Sequence, residues 1–138
     1  MASFNFNATI RTLVNNFFGS GSYKMLLVSV LPTETEKDSW AFRSSVTNEV
    51  TGTGYVAGGT AVTLTVAAID NVNNDVEVTS SAASWANSTI TAVAGIIYKD
   101  TGNAATDNLI SLIDFGTAAS STNGTFTATP SGSIKFQN

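Results

Sequence analysis

Few residues in this sequence could carry out chemistry, and their types exclude several classes of site. The 138-residue chain contains no histidine and no cysteine. Catalysis by Ser-His-Asp or Cys-His groups therefore lacks its base, and zinc sites built from imidazole or thiolate have no ligands. No Ser-x-x-Lys motif occurs either, so a serine nucleophile lacks the lysine of that arrangement.

The acidic residues are the remaining candidates for a metal site. Glu34, Glu36 and Asp38 are spaced by two, so an extended chain would place all three carboxylates on one side. Such a cluster could bind Ca²⁺ weakly, but the segment lacks the glycine and the ligand order of a known calcium loop. We expect residues 33–40 to form a solvated loop, and we predict no metal and no cofactor.

Hydrolysis by paired carboxylates needs two acids that converge across a cleft. Asp70, Asp75 and Glu77 lie near a predicted hairpin turn, where solvated carboxylates are typical. We therefore predict that the chain is not an enzyme. A small glycan hydrolase is the alternative, because spacing alone does not exclude two convergent acids.

The glycine-rich stretch at residues 52–59 has a superficial likeness to a dinucleotide-binding loop. Its spacing is G-x-G-x-x-x-G, and it precedes a predicted strand rather than opening a helix. A phosphate would have no helix N-terminus to bind, so we reject that function. The glycines instead predict a bulge and a tight turn.

Charge and hydropathy limit the partners of the chain. The net charge is −4, and the six cations are scattered along the sequence, so no basic stripe favours nucleic acid. The longest apolar run, residues 25–30, is too short to span a bilayer, and no export signal is visible at the N-terminus. We expect a protein that is made in the cytoplasm and binds neither nucleic acid nor membrane.

One stretch has the periodicity of an amphipathic helix. It spans about residues 8–18, with Asn7 as the predicted N-cap and Gly19 as the predicted C′ residue. Residues 1–7 ahead of it form a predicted extended arm, in which Phe4 and Phe6 alternate with polar residues. The apolar side of the helix is formed by Ile10, Leu13, Val14, Phe17 and Phe18.

The rest of the chain predicts about eight strands at a spacing near ten residues. This pattern predicts a mainly β fold in one domain, residues 1–138. The expected architecture is an antiparallel β-sandwich, jelly-roll-like, or a partial barrel, with one N-terminal amphipathic helix. The predicted strands are 23–31, 46–50, 60–69, 76–78, 89–99, 109–115, 124–129 and 134–136, with a polar turn at 120–124.

Four motifs in the middle of the chain are specific in sequence: NEVTGTGYVAGG (48–59), WANSTITA (85–92), IIYKDTG (96–102) and LISLIDFG (109–116). In this order they resemble a family of small virion structural proteins of tailed bacteriophages, and the resemblance spans roughly residues 23–128. It implies a structural component of the particle, first a capsid decoration (cement) protein on the capsid surface. The implied partners are the major capsid protein and further copies of the chain, a trimer being favoured.

The candidate interface residues are Phe4, Phe6, Trp40 and Tyr55. The two phenylalanines would anchor the arm on a neighbouring subunit, or would fold back into the core of their own domain. The alternative function is a tail or fibre accessory protein with glycan-binding ability. It would need an exposed aromatic platform from Trp40, Tyr55 or Trp85, although buried tryptophan is the commoner case.

Overall fold

Two antiparallel sheets and an N-terminal helix build the molecule, which is mainly β and is not a closed barrel. This confirms the predicted fold class. The computed structural model describes residues 5–137. The elements are α1 (Asn7–Phe18), β1 (Ser22–Val28), α2 (Glu34–Ser39), a 3₁₀ turn (Arg43–Ser45), β2 (Thr60–Val62), β3 (Leu64–Val66), β4 (Asp75–Ser80), β5 (Ala83–Asp100), β6 (Leu109–Ala128) and β7 (Ile134–Gln137).

The larger sheet has the strand order β2-β1-β5-β6. Strand β1 lies inside it, paired with β2 on one side and with β5 over its whole length on the other. Its last four residues, 25–28, are completely buried, so both faces of this strand are covered. Apolar residues fall on both faces of the predicted strand 23–31, which is the pattern of such a two-sided strand.

The smaller sheet has the order β3-β4-β7 and packs against the first. The single strand predicted at residues 60–69 is wrong, because the chain changes sheets in the middle of it. Thr63 lies between β2 and β3, and its backbone exchanges hydrogen bonds with Ser81. An alternating pattern continues through such a corner, so the sequence does not reveal it.

Two apolar clusters hold the layers together. The first fills the space between the sheets and α1, and includes Val14, Phe18, Val78 and the buried Trp85. The second covers the opposite face of the larger sheet, where Trp40 and its neighbours pack on β1, β5 and the start of β6. The larger sheet therefore contributes to two cores, and α1 and the segment around α2 lie on opposite faces of it.

The predicted loop at residues 33–40 is wrong, since most of it forms α2. Thr33 and Glu36 make a capping box: the Thr33 Oγ1 accepts from the Glu36 backbone, and the Glu36 carboxylate accepts from the Thr33 backbone. This T-x-x-E pattern starts a helix. Successive acids point in different directions on a helix, so the one-sided carboxylate cluster is not formed.

The predicted polar turn at 120–124 is also wrong, because these residues continue β6 against β5. Hydroxyl pairs across the strands, Ser88 with Ser121 and Thr91 with Ser120, are each 2.7 Å apart. The ladder is irregular: residues 115–118 of β6 lie opposite Val93 alone. A bulge of this kind absorbs extra residues without ending the strand.

Smaller differences between the predicted and the observed structure occur at the ends of elements. The N-cap of α1 is Phe6, while Asn7 is the first helical residue and donates to Asn71 and Asn74. Gly19 ends the helix in a right-handed conformation. Residues 46–50 form an isolated bridge to β1 in place of the predicted edge strand.

Candidate interaction surface

A cleft of about 420 Å³ lies beside Trp40, on the face of the larger sheet that α2 covers. Trp40 is the C-cap of α2, and its ring is half-buried against the second cluster. The capping box at the start of α2 fixes this helix and so fixes the ring at its end. Leu31 and Leu112 line the cleft and are 42% and 40% exposed. The Trp40 cleft therefore presents apolar side chains to solvent.

The rim of the Trp40 cleft carries charges of both signs. Glu34 and Lys37 form an exposed ion pair at 3.0 Å, and Glu34 is 86% exposed. The Asp114 carboxylate accepts from the Gly116 backbone N–H at 2.8 Å. Both carboxylates are solvated and already engaged, so the rim does not offer the desolvated pair that glycoside hydrolysis uses.

The outer edge of β6 borders the same cleft. Within the described chain, the backbone contact on this side is the Leu109 N–H donating to the Ala41 carbonyl, and none reaches residues 110–128. Strand β6 is thus the outermost strand of the larger sheet over nearly its whole length.

A second apolar surface lies on the other side of the sheet, along α1. A groove of about 310 Å³ runs between the helix and the strands β6 and β7. Leu13 in the groove lining is 65% exposed, and Phe6 at the N-cap of the same helix is 70% exposed. The helix groove is lined by Leu13, Val14, Phe17, Phe18, Leu109, Ile110 and Phe136.

Tyr55 has a structural role in the fold. Its hydroxyl accepts from the Leu27 N–H at 3.0 Å and donates to Glu49 Oε1 at 2.7 Å. Its ring packs on Trp85, with the two centroids 5.9 Å apart. Burial raises the pKa of Tyr55 far above its ordinary value, and the adjacent Glu49 raises it further.

The same network fixes the glycine loop. Glu49 Oε1 also accepts from the Gly58 N–H at 2.6 Å, and the Gly58 carbonyl accepts from the Tyr98 hydroxyl at 2.7 Å. Burial raises the pKa of Tyr98 to about 12, although the Arg43 guanidinium over its ring opposes this. The network holds the 52–59 loop against the sheet, which is the shaping role that its glycines predict.

The structure does not bring the predicted interface residues together. Trp40 belongs to the second cluster, Tyr55 packs with the first, and Phe6 lies at the start of α1. Phe4 lies outside the described residues. Sequence reasoning missed Leu31, Leu112 and Leu13, whose apolar positions in strands and a helix are typical of core residues.

The structure contributes two further observations about ligands and membranes. In the part of the chain that it describes, no group of three or more acidic side chains is arranged to hold a metal ion. None of the helices within residues 5–137 combines the length and the hydropathy needed to cross a bilayer.

No family model, no curated protein and no solved structure matches this chain.

Proposed function

We propose that this chain is a structural component of a tailed-phage virion, a decoration protein that binds the major capsid protein on the capsid surface. The proposal starts from the four sequence motifs. The observation that supports it most is the helix groove with its exposed lining residue Leu13, together with Phe6, which is exposed at the N-cap of the same helix. Exposed apolar side chains next to a groove are typical of protein-binding surfaces.

The charge distribution supports a protein partner. Only 12% of the residues are charged, and the surface of the helix groove carries leucine and phenylalanine rather than acids. A partner can therefore cover this surface without burying unpaired charges, which is costly. The arm at residues 1–7 precedes the groove-forming helix, so Phe4 and Phe6 are proposed to contact the capsid lattice with it.

Binding to assembled shells tests the proposal. The purified chain is mixed with shells assembled from the major capsid protein of the same virus, and separately with unassembled capsid protein, and co-sedimentation is measured. We expect binding to shells alone. Leu13→Lys should weaken that binding at least about tenfold, or about 1.4 kcal/mol, whereas Val56→Lys, a matched change at a residue 75% exposed, should leave it unchanged.

Absence of shell binding would reject the decoration function. Equal loss of binding in Leu13→Lys and Val56→Lys would reject the helix groove as the binding surface. The tail or fibre accessory function is the alternative outcome, and it requires that the chain fractionates with isolated tails. Its glycan-binding form has less support, since Trp85 is 5% exposed and Tyr55 packs against it.

A further inference from the structure

We propose that Asp75 and Lys135 react with each other to form an intramolecular amide (isopeptide) bond between β4 and β7, with Glu77 as the group that moves the protons. The bond fastens the last strand of the smaller sheet to its neighbour. This inference rests on side chains of the smaller sheet alone, so it does not depend on the proposed function.

The Asp75 carboxylate is the first argument. Its side chain is 1% exposed, and among the residues that the structure describes no group donates a hydrogen bond to either of its oxygens. A buried carboxylate without hydrogen bonds is costly and therefore rare in native proteins. Asp107, at 0% exposure, accepts from three donors at 2.7 Å each. Asp75 lacks the compensation that this other buried carboxylate receives.

The strand register places an amine beside this carboxylate. In the antiparallel pair of β4 and β7, Glu77 lies opposite Lys135. Asp75 is two residues before Glu77 on the same strand, so it is a diagonal neighbour of Lys135 on one face of the sheet. Lys135 Nζ lies 3.9 Å from Asp75 Oδ2, which is too far for a hydrogen bond. The amine is thus next to the carboxylate without being bound to it.

Glu77 supplies the acid–base group that the reaction needs. Its Oε1 lies 2.9 Å from Lys135 Nζ, and its Oε2 accepts from the Ser133 hydroxyl at 2.9 Å. A general acid–base group must lie within hydrogen-bond reach of the proton that it moves. Glu77 meets this condition, and the hydrogen bond from Ser133 holds its carboxylate toward the amine.

The reaction is a condensation that needs no co-reactant. Glu77 takes a proton from the Lys135 ammonium, and the neutral Nζ attacks Cγ of Asp75 to form the C–N bond. Glu77 then passes this proton, and a second proton from the same nitrogen, to one Asp75 oxygen. The C–O bond to that oxygen breaks and one water leaves. An ammonium and a carboxylate become one neutral amide and one water, so atoms and charges balance.

Proximity and burial both favour the amide. Two groups held side by side react as if highly concentrated, with effective molarities of about 10⁵–10⁸ M for well-oriented pairs. The neutral product also removes the cost of a buried charge. The hydrogen bond between Lys135 and Glu77 raises the pKa of the amine and lowers the pKa of the carboxylate. The amine is therefore protonated at rest, and we expect the bond to form over hours after folding rather than seconds.

Mass spectrometry of the purified full-length chain tests the bond. The intact mass should be lower than the mass of the sequence by one water molecule, and a protease digest should contain a branched peptide that joins Asp75 to Lys135. Lys24 and Asp100 are the internal control, since they form an ion pair at 3.0 Å in the same molecule. The Asp100 carboxylate also accepts from the Gly102 N–H, so both residues should be recovered in unlinked peptides.

Single substitutions separate the roles of the three residues. Lys135→Arg keeps the positive charge without the attacking amine, so its mass should equal that of its sequence. Glu77→Gln should slow formation of the bond at least about a hundredfold. Asp75→Asn should form the same amide with loss of one ammonia instead of one water. Lys24→Arg is the matched control and should lose one water as the natural chain does, and circular dichroism checks that each variant keeps the fold.

Three results would count against the bond. A natural chain that keeps the full mass of its sequence, after days in the folded state at neutral pH, would overturn the proposal and leave Asp75 and Lys135 as an ion pair. A loss of water that persists in Lys135→Arg would also overturn it, because that water must come from another site. Equal rates of formation in the natural chain and in Glu77→Gln would remove Glu77 from the chemistry.

Discussion

Asp107 is the most deeply buried carboxylate with a complete set of partners. Its side chain is 0% exposed and accepts from the Thr101 N–H, the Thr101 hydroxyl and Arg43 Nε, each at 2.7 Å. Burial alone would raise the pKa of Asp107, but these donors outweigh burial and hold the pKa below its ordinary value. The residue thereby joins the turn after β5 to the 3₁₀ turn that follows Trp40.

Asp107→Asn should lower the free energy of unfolding by about 3 kcal/mol at neutral pH. The substitution removes the charge that pairs with Arg43 and replaces one acceptor with a donor. Urea denaturation measures the change. Glu34→Gln, which breaks an ion pair between exposed side chains, is the control and should leave the free energy of unfolding nearly unchanged.

The difference in free energy of unfolding between the unmodified chain and Asp107→Asn should also depend on pH. A carboxylate with a depressed pKa stabilises the fold above its unfolded pKa, about 3.9 for aspartate, and this stabilisation is lost as pH falls through the folded pKa. The difference between the unmodified chain and Asp107→Asn should therefore shrink as the pH falls below about 4. A difference that stays constant down to pH 2 would show that the pKa of Asp107 is not what stabilises the fold.

At the residue scale, contacts between residues far apart in the sequence were the hardest feature to predict. The sequence left open whether Trp85 is buried or forms a platform, with burial the commoner case for a tryptophan, and in the structure it is 5% exposed. The pairing of Asp107 with Arg43 joins residues 64 positions apart. No local pattern marks such a pair, because it depends on how the turns are brought together.

The elements follow local signals where those signals are strong. Helix α1 has nearly the predicted bounds, because apolar residues recur with helical spacing. Strand β1 was predicted from apolar residues that fall on both faces of residues 23–31. The helix α2 was missed although its capping box stands in the sequence. Strand β6 was predicted as two strands, 109–115 and 124–129, because the Ser, Asn and Gly residues at 120–124 are typical of a turn. In β6 the long-range ladder with β5 overrides that local preference.

Gly59 fixes the entry of the chain into β2. It has a φ of +75°, and a Cβ atom there would collide with the Met25 carbonyl oxygen of β1. The glycine is required both by its left-handed backbone and by this close approach. Gly102 has a similar φ of +85°, but a Cβ atom there would meet nothing within 4 Å.

Gly59→Ala should destabilise the fold by about 4 kcal/mol or more, because the strain is combined with a backbone collision. Gly102→Ala should cost only about 1 kcal/mol, which is the cost of placing alanine in a left-handed backbone conformation without any collision. Thermal and urea unfolding of the two variants compare these terms directly. Equal losses would show that the close approach to β1 contributes nothing.

In the whole molecule, α1 ties the two sheets together. Phe18 is 6% exposed and contacts Tyr23 of β1 and Phe136 of β7, with ring centroids 6.2 and 5.7 Å apart. The Phe17 carbonyl accepts from Lys99 Nζ of β5 at 2.7 Å and from the Tyr23 hydroxyl at 3.0 Å. The helix thus bridges the smaller sheet, whose three strands it contacts, and strands β1 and β5 of the larger sheet.

Phe18→Ala should lower the free energy of unfolding by about 3 to 5 kcal/mol, since it leaves a cavity where helix and sheets meet. Leu13→Ala changes the same helix at an exposed position and should cost less than about 1 kcal/mol. Equilibrium urea unfolding gives both values. Similar losses in the two variants would mean that α1 does not bridge the sheets through Phe18.

The corner at Thr63 limits how copies of this chain can exchange segments. Domain swapping needs a connecting loop that can open as a hinge, and only one residue separates β2 from β3. A copy that gave up β2 to a neighbour would have to remove β3 from the other sheet as well. The corner therefore couples β2 of the larger sheet to β3 of the smaller one, and it disfavours the exchange of β2 between copies as a route to oligomers.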